Sequence, residues 1–370
     1  MKEDSLLTGK PVSNTRLIYL DVLRGLMLVI ITFDHLAGPI KSITFEPLGF
    51  VSAAEGFIFL SGFVYGLVYT RFYKNGGLSA ILVKSGKRAG VIYFYHWLVL
   101  IIVFGCSLLN LCEFRELTLF KYQPLKSVTF FSLFLLQPHN MDILPMYVIF
   151  VLSGPFLLRA VDSGRTKTVL AISITLWLIS QSTVLQYNKY DLQSSGFHFG
   201  YFNILSWQLL FITGLFFGHN RSSSRYSIPT SISLTVVAIT GLLIFAIARY
   251  SPHDSLLFRL ISHFSQRETL GASKVINFGL MAYLVFFITK GKGNNIRLRW
   301  LAFLGRHSLQ VFAYSVCLVS FVLPVKSDVW DLHIITEVIF DILLVATLTL
   351  PAWLHQTIIR KVPLVKQMGL

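Results

Sequence analysis

Long apolar runs separated by short polar borders recur along the whole chain. Ten of these runs approach or reach the roughly 20 residues that a helix needs to cross the hydrocarbon core of a membrane. They occupy residues 17–37, 49–70, 90–109, 143–160, 168–185, 203–218, 229–248, 273–289, 301–323 and 334–355. The pattern predicts an all-α, polytopic helical membrane protein with about ten transmembrane helices. A further apolar stretch, residues 127–137, is too short to cross, and we assign it to the membrane surface or to a re-entrant segment.

The polar segments between the runs are short, so one membrane domain accounts for the chain. We expect a cytoplasmic N-terminal segment at 1–16, a single transmembrane domain at 17–355 and a cytoplasmic C-terminal tail at 356–370. With both termini cytoplasmic, the inner segments carry 20 of the 32 Lys and Arg residues and the outer segments carry 10, which is the bias of the positive-inside rule. The first run contains Asp21 and Arg24, so we interpret it as a retained helix rather than a cleaved signal peptide.

Composition narrows the class of protein further. Of the 370 residues, 54% are hydrophobic and only 13% are charged, about half the charged fraction of soluble proteins, which excludes an ordinary soluble enzyme. The net charge of +15 would suggest nucleic acid in a soluble protein. Here the excess of Lys and Arg in the cytoplasmic segments explains most of this net charge, and we expect no nucleic-acid partner. Cys106, Cys112 and Cys317 form no pair at metal-ligand spacing, so we predict no disulfide framework and no metal site.

The first apolar run carries four ionisable residues, and such groups inside a membrane rarely face lipid. Arg24 and His35 are eleven residues apart, so at 100° per residue they share one helix face, about 16 Å apart along the axis. Asp21 precedes Arg24 by three residues, close enough to pair with it, and Asp34 adjoins His35. The stripe predicts a polar cavity, with Arg24 toward the cytoplasm and His35 toward the outside. The alternative is a structural Asp21–Arg24 ion pair with an interfacial histidine.

The second run begins with small residues around Glu55, at a depth similar to that of His35. A histidine with a carboxylate nearby can act as a general base at neutral pH, and either Asp34 or Glu55 could supply that carboxylate. The alternative is a helix-packing face, since small residues let another backbone approach closely. The basic loop that follows, with Lys87 and Arg88, contains positive-inside residues or an anchor for a phosphorylated cytosolic ligand.

Taken in order, the motifs resemble those of the OpgC family, membrane proteins that succinylate osmoregulated periplasmic glucans. The matching segments are DVLRGLMLVIITFDH (21–35) with Gly38-Pro39, GFVSAAEGFIFLSGFVYG (49–66), ILPMY (143–147), SWQLLFITG (206–214) and LGRHSLQVFAYS (304–315). More distantly, the chain resembles the acyltransferase-three branch of transmembrane acyltransferases. In that branch an Arg-Gly pair in the first helix precedes a catalytic histidine by eleven residues, and Arg24-Gly25 and His35 keep that spacing.

The resemblance implies an O-acyltransferase of the bacterial inner membrane that moves an acyl group, succinyl above all, from cytosolic acyl-CoA to hydroxyls of a periplasmic glucan. No permanently bound cofactor is expected, because acyl-CoA is a co-substrate. His35 would act either as a general base or as the site of a covalent acyl group. The candidate site residues are His35, Asp34 and Glu55 for catalysis, Arg24, Asp21, Lys87, Arg88 and Ser61 for the donor, and His96, Trp207 and Gln208 for the acceptor.

Several weaker candidates stay open at this point. Trp207 and Tyr201 could stack on a sugar ring or belong to an interfacial aromatic belt. Arg306 could contact CoA or snorkel as an anchor, and Asp341 could be a packing partner or part of the cavity. A proton-coupled transporter or flippase, with Asp34, His35 and Glu55 as a relay, is the competing function, although neither inverted repeats nor paired broken helices are visible in the sequence.

Overall fold

The computed structural model describes residues 17–111, 115–182, 197–223, 230–290, 298–329 and 333–361. Within these ranges every regular element is a helix, and a single parallel bridge joins Leu136 to His198. The all-α prediction is therefore confirmed. The helices are α1 (Ile18–Leu36), α2 (Lys41–Thr44), α3 (Ala53–Leu108), α4 (Arg115–Tyr122), α5 (Pro124–Ser132), α6 (Ile143–Asp162), α7 (Thr166–Ser180), α8 (Ile204–Ser223), α9 (Ile232–Tyr250), α10 (Leu256–His263), α11 (Ala272–Thr289), α12 (Arg299–Arg306), α13 (Ser308–Val329), α14 (Ile334–Ala346) and α15 (Thr349–Lys361).

Length and composition make five helical segments in the described part of the chain able to cross a membrane. The α12–α13 pair, bent by 90°, raises that number to six if it is taken as one span. These helices support a membrane protein, and the larger number of ten crossings stays a prediction.

Helix α3 contains two of the predicted spans. It is helical from Ala53 to Leu108 except at Gly77, which has φ 65° and ψ −162°, a conformation that glycine adopts without steric cost. The hydroxyl groups of Tyr65 and Ser85 lie 2.7 Å apart, so α3 folds back on itself as a helical hairpin. The segment between the two predicted spans is thus helix and not loop. The residues on both sides of Gly77 keep helical dihedral angles, and only Gly77 interrupts the helix.

The first half of α3 packs on α8 with backbone in contact with backbone. A Cβ atom on Gly62 would clash with the carbonyl oxygen of Phe211, and one on Gly66 would clash with that of Leu215. Gly214 and Gly218 on α8 face the α3 backbone in the same way. Both helices therefore carry glycines four residues apart, the spacing that brings membrane helices closest together.

Helix α1 crosses α12 with equal closeness. A Cβ on Gly25 would meet the carbonyl oxygen of Leu301, and one on Gly305 would meet that of Asp21. The glycine of the Arg24-Gly25 pair is required by this crossing.

Other helices contact α1 near each of its two ends. At one, the Lys326 ammonium of α13 donates to the carbonyl of Leu36, the last residue of α1, at 3.1 Å. At the other, near Asp21 and Arg24, α12 crosses the start of α1. We call these places the His35 end and the Arg24 end. Helices α1 and α13 therefore run in the same direction, as the first and ninth crossings of the predicted topology must.

Candidate functional site

A cavity of about 670 Å³ lies at the His35 end. Its walls are the last turns of α1, the start of α3, one face of α13 and three loop segments, 137–142, 198–202 and 267–268. This volume is in the range of cavities that hold small organic ligands.

His35 lines the cavity, and its side chain is exposed there. The Nδ1 atom lies 2.7 Å from the carbonyl oxygen of Ile31, so Nδ1–H donates to that carbonyl. In the neutral ring this leaves the lone pair on Nε2. His35 is therefore held in the tautomer whose Nε2 can accept a proton from a bound hydroxyl group.

Asp34 is buried and also borders the cavity. Its Oδ1 accepts a hydrogen bond from the Thr44 hydroxyl at 2.7 Å, which ties the end of α1 to the end of α2. No hydrogen bond within the described part of the chain joins this carboxylate to the His35 ring. Its contribution there is a negative charge beside the cavity.

Glu55 lies behind the cavity wall and is fully buried. Its Oε2 accepts hydrogen bonds from the backbone nitrogen and the hydroxyl of Ser52, at 2.9 and 2.6 Å, as in a capping box. Its Oε1 pairs with the Lys274 ammonium at 3.2 Å, and Lys274 also pairs with Glu46 at 2.9 Å. Both carboxylate oxygens of Glu55 are thus occupied, and the geometry favours Asp34 over Glu55 as the carboxylate at the cavity.

Two cations, Lys41 and Arg267, line the cavity. Arg267 pairs with Glu46 at 3.2 Å and lies 4.4 Å from the centre of the Phe45 ring. Lys41 lies 5.4 Å from the same ring and forms no salt bridge among the residues that the structure describes, although Asp34 is near enough to interact with it electrostatically. Lys41 is therefore the cation best placed to attract an anionic group in the cavity.

The wall contributed by the loops is rich in hydrogen-bonding groups. Its polar side chains include those of Gln137, His139, Asn140, His198 and Tyr201, and it also carries the charged residues Asp142, Arg267 and Glu268.

The two loops of this wall are fixed by hydrogen bonds. The backbone nitrogen of Gln137 donates to the His198 carbonyl at 2.6 Å. The Asp142 carboxylate accepts from the backbone nitrogens of Tyr201 and Phe202 at 2.8 and 3.1 Å. Gly200, with φ 85°, packs directly against Asp142.

Arg24 lies beyond the closed end of the cavity. The cavity follows α13 from Leu323 to Phe312, eleven residues or about 16 Å of helix. There the Phe312 ring stacks on Phe57 with 6.0 Å between ring centres. The Arg24 guanidinium lies over the Phe57 ring, 6.0 Å from its centre. The predicted stripe is therefore a cavity along part of its length, and an aromatic pair separates that cavity from Arg24.

The other residues predicted for donor binding lie at three locations. Asp21 pairs with Arg306 at 3.8 Å, close to Arg24. Lys87 is exposed and Arg88 is partly exposed on the second half of α3. Ser61 is buried inside the bundle, donates to the carbonyl of Phe57 at 2.8 Å, and does not line the cavity.

The three residues predicted for the acceptor do not reach the cavity. His96 is fully buried and stacks on Phe131, with 4.0 Å between ring centres. Trp207 is also fully buried, and its indole nitrogen donates to the carbonyl of Glu268 at 3.1 Å. The Gln208 amide is bonded within the bundle, where it donates to the Ser173 carbonyl at 2.8 Å. Sequence reasoning took these for surface or lumen residues because periodicity alone does not distinguish lumen from core.

Two of the weaker candidates are resolved by their positions. Tyr201 lines the cavity and is half exposed. Asp341 pairs with Lys326 at 2.7 Å and lies outside the cavity lining, so it is a packing partner.

Sequence reasoning missed Gln137, Lys41 and Arg267. Lys41 and Arg267 lie in segments interpreted as outer connections, where a single polar residue carries no periodic signal. Gln137 is the last residue of the short apolar stretch assigned to the membrane surface or to a re-entrant segment, and the one available indication was the polar cluster that begins with it.

Comparison with known proteins gives one match. The family described as OpgC protein matches residues 16–360 of the chain. No curated protein matches, and no solved structure matches.

Proposed function

The chain belongs to the OpgC family, and on that basis we propose that it is an O-acyltransferase that moves an acyl group from cytosolic acyl-CoA to a hydroxyl group of a periplasmic glucan. Membership in this family implies a membrane-associated transferase that modifies periplasmic glucans. The observation that supports the specific reaction most strongly is the His35 ring, which presents Nε2 at a cavity large enough for a sugar and a short acyl chain.

The proposal includes a topology. The ten apolar runs cross the bacterial inner membrane, both termini are cytoplasmic, and the His35 end faces the periplasm. The distribution of Lys and Arg between the two sides supports this orientation. The parallel directions of α1 and α13 and of α8 and the first half of α3 agree with the order of the crossings, because each pair consists of crossings of the same predicted direction.

The donor binds from the Arg24 end in this account. CoA carries phosphate groups, which guanidinium groups bind well. Arg24 lies between those phosphates and the cavity floor. The pantetheine arm reaches His35 only when the Phe57–Phe312 pair separates, since that pair lies between Arg24 and the cavity.

The reaction is an ordinary acyl transfer. Nε2 of His35 accepts the proton of a glucan hydroxyl as its oxygen attacks the thioester carbonyl. The tetrahedral intermediate then expels the sulfur, the C–S bond breaks, and the imidazolium returns the proton to the thiolate, giving free CoA and an ester. In the alternative route Nε2 attacks the thioester first and expels CoA as the thiolate, which forms an acyl-histidine. The oxygen of the glucan hydroxyl then attacks the acyl carbon, the N–acyl bond breaks, and the hydroxyl proton passes through the imidazole to the thiolate.

A succinyl group fits the charges of the cavity. Its distal carboxylate requires a cation, and Lys41 lines the cavity and forms no salt bridge in the described ranges. An acetyl group would make no use of this charge.

Release of CoA tests the proposal. Membranes that contain the protein are incubated with labelled succinyl-CoA, with and without unsubstituted periplasmic glucan, and free CoA and labelled glucan are measured. We expect equal amounts of CoA and glucan ester, both dependent on the glucan and absent from membranes that lack the protein. Movement of the glucan across the membrane without thioester consumption would instead indicate a transporter.

A further inference from the structure

Gln137 is a buried glutamine whose side chain has no partner. It borders the cavity and is 1% exposed, yet neither its amide nitrogen nor its amide oxygen has a hydrogen-bond partner. Burial of an amide without hydrogen bonds is unfavourable, and most buried polar side-chain groups are bonded. The Gln208 amide, for comparison, is fully bonded to α7 and to its own helix.

The position of Gln137 is fixed by its backbone. The residue follows Leu136, which pairs with His198 in the isolated bridge, and its own nitrogen donates to the His198 carbonyl. Pro138 follows it and restricts the backbone of the preceding residue. The fold therefore holds Gln137 on the loop wall of the cavity, which also carries Asn140 and Tyr201.

The chemistry of the amide indicates what it binds. A carboxamide offers a donor at Nε2 and an acceptor at Oε1. Two neighbouring hydroxyl groups of a sugar satisfy both, because one donates to Oε1 while the other accepts from Nε2. A carboxylate or phosphate offers acceptors only and would bring negative charge against Oε1. The neutral amide thus suits a sugar, whereas Lys41, also on the cavity lining, suits an anion.

From this arrangement we infer that Gln137 is the residue that positions the acceptor, by binding two neighbouring hydroxyl groups of a neutral sugar so that another hydroxyl faces His35. The inference rests on the proposed function for the identity of the sugar as part of a glucan. In this inference Gln137 binds the sugar, and His35 accepts the proton of the reacting hydroxyl group.

The test is the substitution Gln137→Met, which keeps the length of the side chain and removes both polar atoms. Binding of unsubstituted periplasmic glucan, isolated from cells that lack the protein, is measured by calorimetry on the purified full-length chain without acyl-CoA. We expect the dissociation constant to rise about tenfold or more, as for the loss of two neutral hydrogen bonds. The melting temperature should stay the same or rise, because an unbonded buried amide has been removed, and KM for acyl-CoA should not change.

Gln181→Met is the matched control. The Gln181 amide donates to the Thr269 carbonyl at 2.7 Å and does not line the cavity. This variant should melt at a lower temperature and bind glucan with unchanged affinity.

Two results would overturn the inference. One is unchanged glucan affinity in Gln137→Met, and the other is absence of glucan binding by the unaltered protein. The proposed function is tested separately: a protein that binds glucan through Gln137 but releases no CoA would refute the transferase and leave Gln137 as a sugar-binding residue.

Discussion

Individual ionisable residues in this protein differ in whether the fold neutralises them. Lys274, Asp21 and Asp341 each pair with a group of opposite charge. Breaking such a buried pair is costly because the remaining charge is left uncompensated. Lys41 is different, since it borders the cavity and forms no salt bridge in the part of the chain that the structure describes. Its charge is available to a ligand.

The substitution Lys41→Met tests the use of that charge. We expect kcat/KM with succinyl-CoA to fall about tenfold or more, because a hydrogen bond to a charged group contributes roughly 1.5–3 kcal/mol. The value with acetyl-CoA should change little, since acetyl has no distal carboxylate. Lys41→Arg, which keeps the charge, should retain the preference for succinyl. Equal losses with both donors would contradict this role.

At the scale of elements, the close crossings α3–α8 and α1–α12 fix where the site residues lie. Each crossing brings backbone against backbone at a glycine. The α1–α12 crossing places Asp21 beside Arg306, and the α3–α8 crossing holds the helix whose first turn forms part of the cavity wall. The small residues of the second run predicted from the sequence that a helix packs closely there. That this helix is α8 is visible only in the structure.

The substitution Gly66→Ala tests the α3–α8 crossing. The added Cβ would clash with the backbone carbonyl of Leu215, and overpacking of this kind costs about 1–3 kcal/mol. The purified protein should therefore melt at a lower temperature in detergent. Gly90→Ala, in the same helix with nothing within 4 Å of its Cβ, should be neutral or slightly stabilising. Identical melting of the two variants would show that the helices do not meet as described.

Some element boundaries could not be predicted from hydropathy. The segment around Gly77 is helical because a helix can continue beyond the apolar run that predicts it. The ninth apolar run consists of two helices bent by 90°, with His307 at φ −107° and ψ 31° between them. An apolar run indicates that its residues are buried or in contact with lipid. It does not indicate where the backbone turns inside an apolar region.

For the whole molecule, the cavity and the arginines Arg24 and Arg306 lie at opposite ends of the helices. His35 and Lys41 belong to the His35 end, whereas Arg24 and Arg306 meet at the α1–α12 crossing. A sequence of apolar runs could predict this separation, because the order of crossings alone assigns each helix end to a side. It could not predict the loop wall with Gln137, since loops carry no periodicity that relates them to the helices.

Labelling of single cysteines tests the orientation. In a chain whose three native cysteines are replaced by alanine, Ser42→Cys lies at the His35 end and Lys87→Cys on the second half of α3, both exposed. A maleimide that cannot cross membranes should label the first variant in intact spheroplasts. It should label the second only after the membrane is permeabilised. The opposite pattern would refute the orientation.

The most direct test of the central claim is transfer by a His35→Gln variant. Glutamine can fill the position but cannot accept a proton at neutral pH. General base catalysis contributes about 10²–10⁴-fold, so labelled succinyl transfer to glucan in isolated membranes should fall at least a hundredfold. Protein level, melting temperature and glucan affinity should match those of the unaltered chain. Undiminished transfer by the variant would contradict the assignment of His35 as the base and, with it, the account of this cavity as the site of acyl transfer.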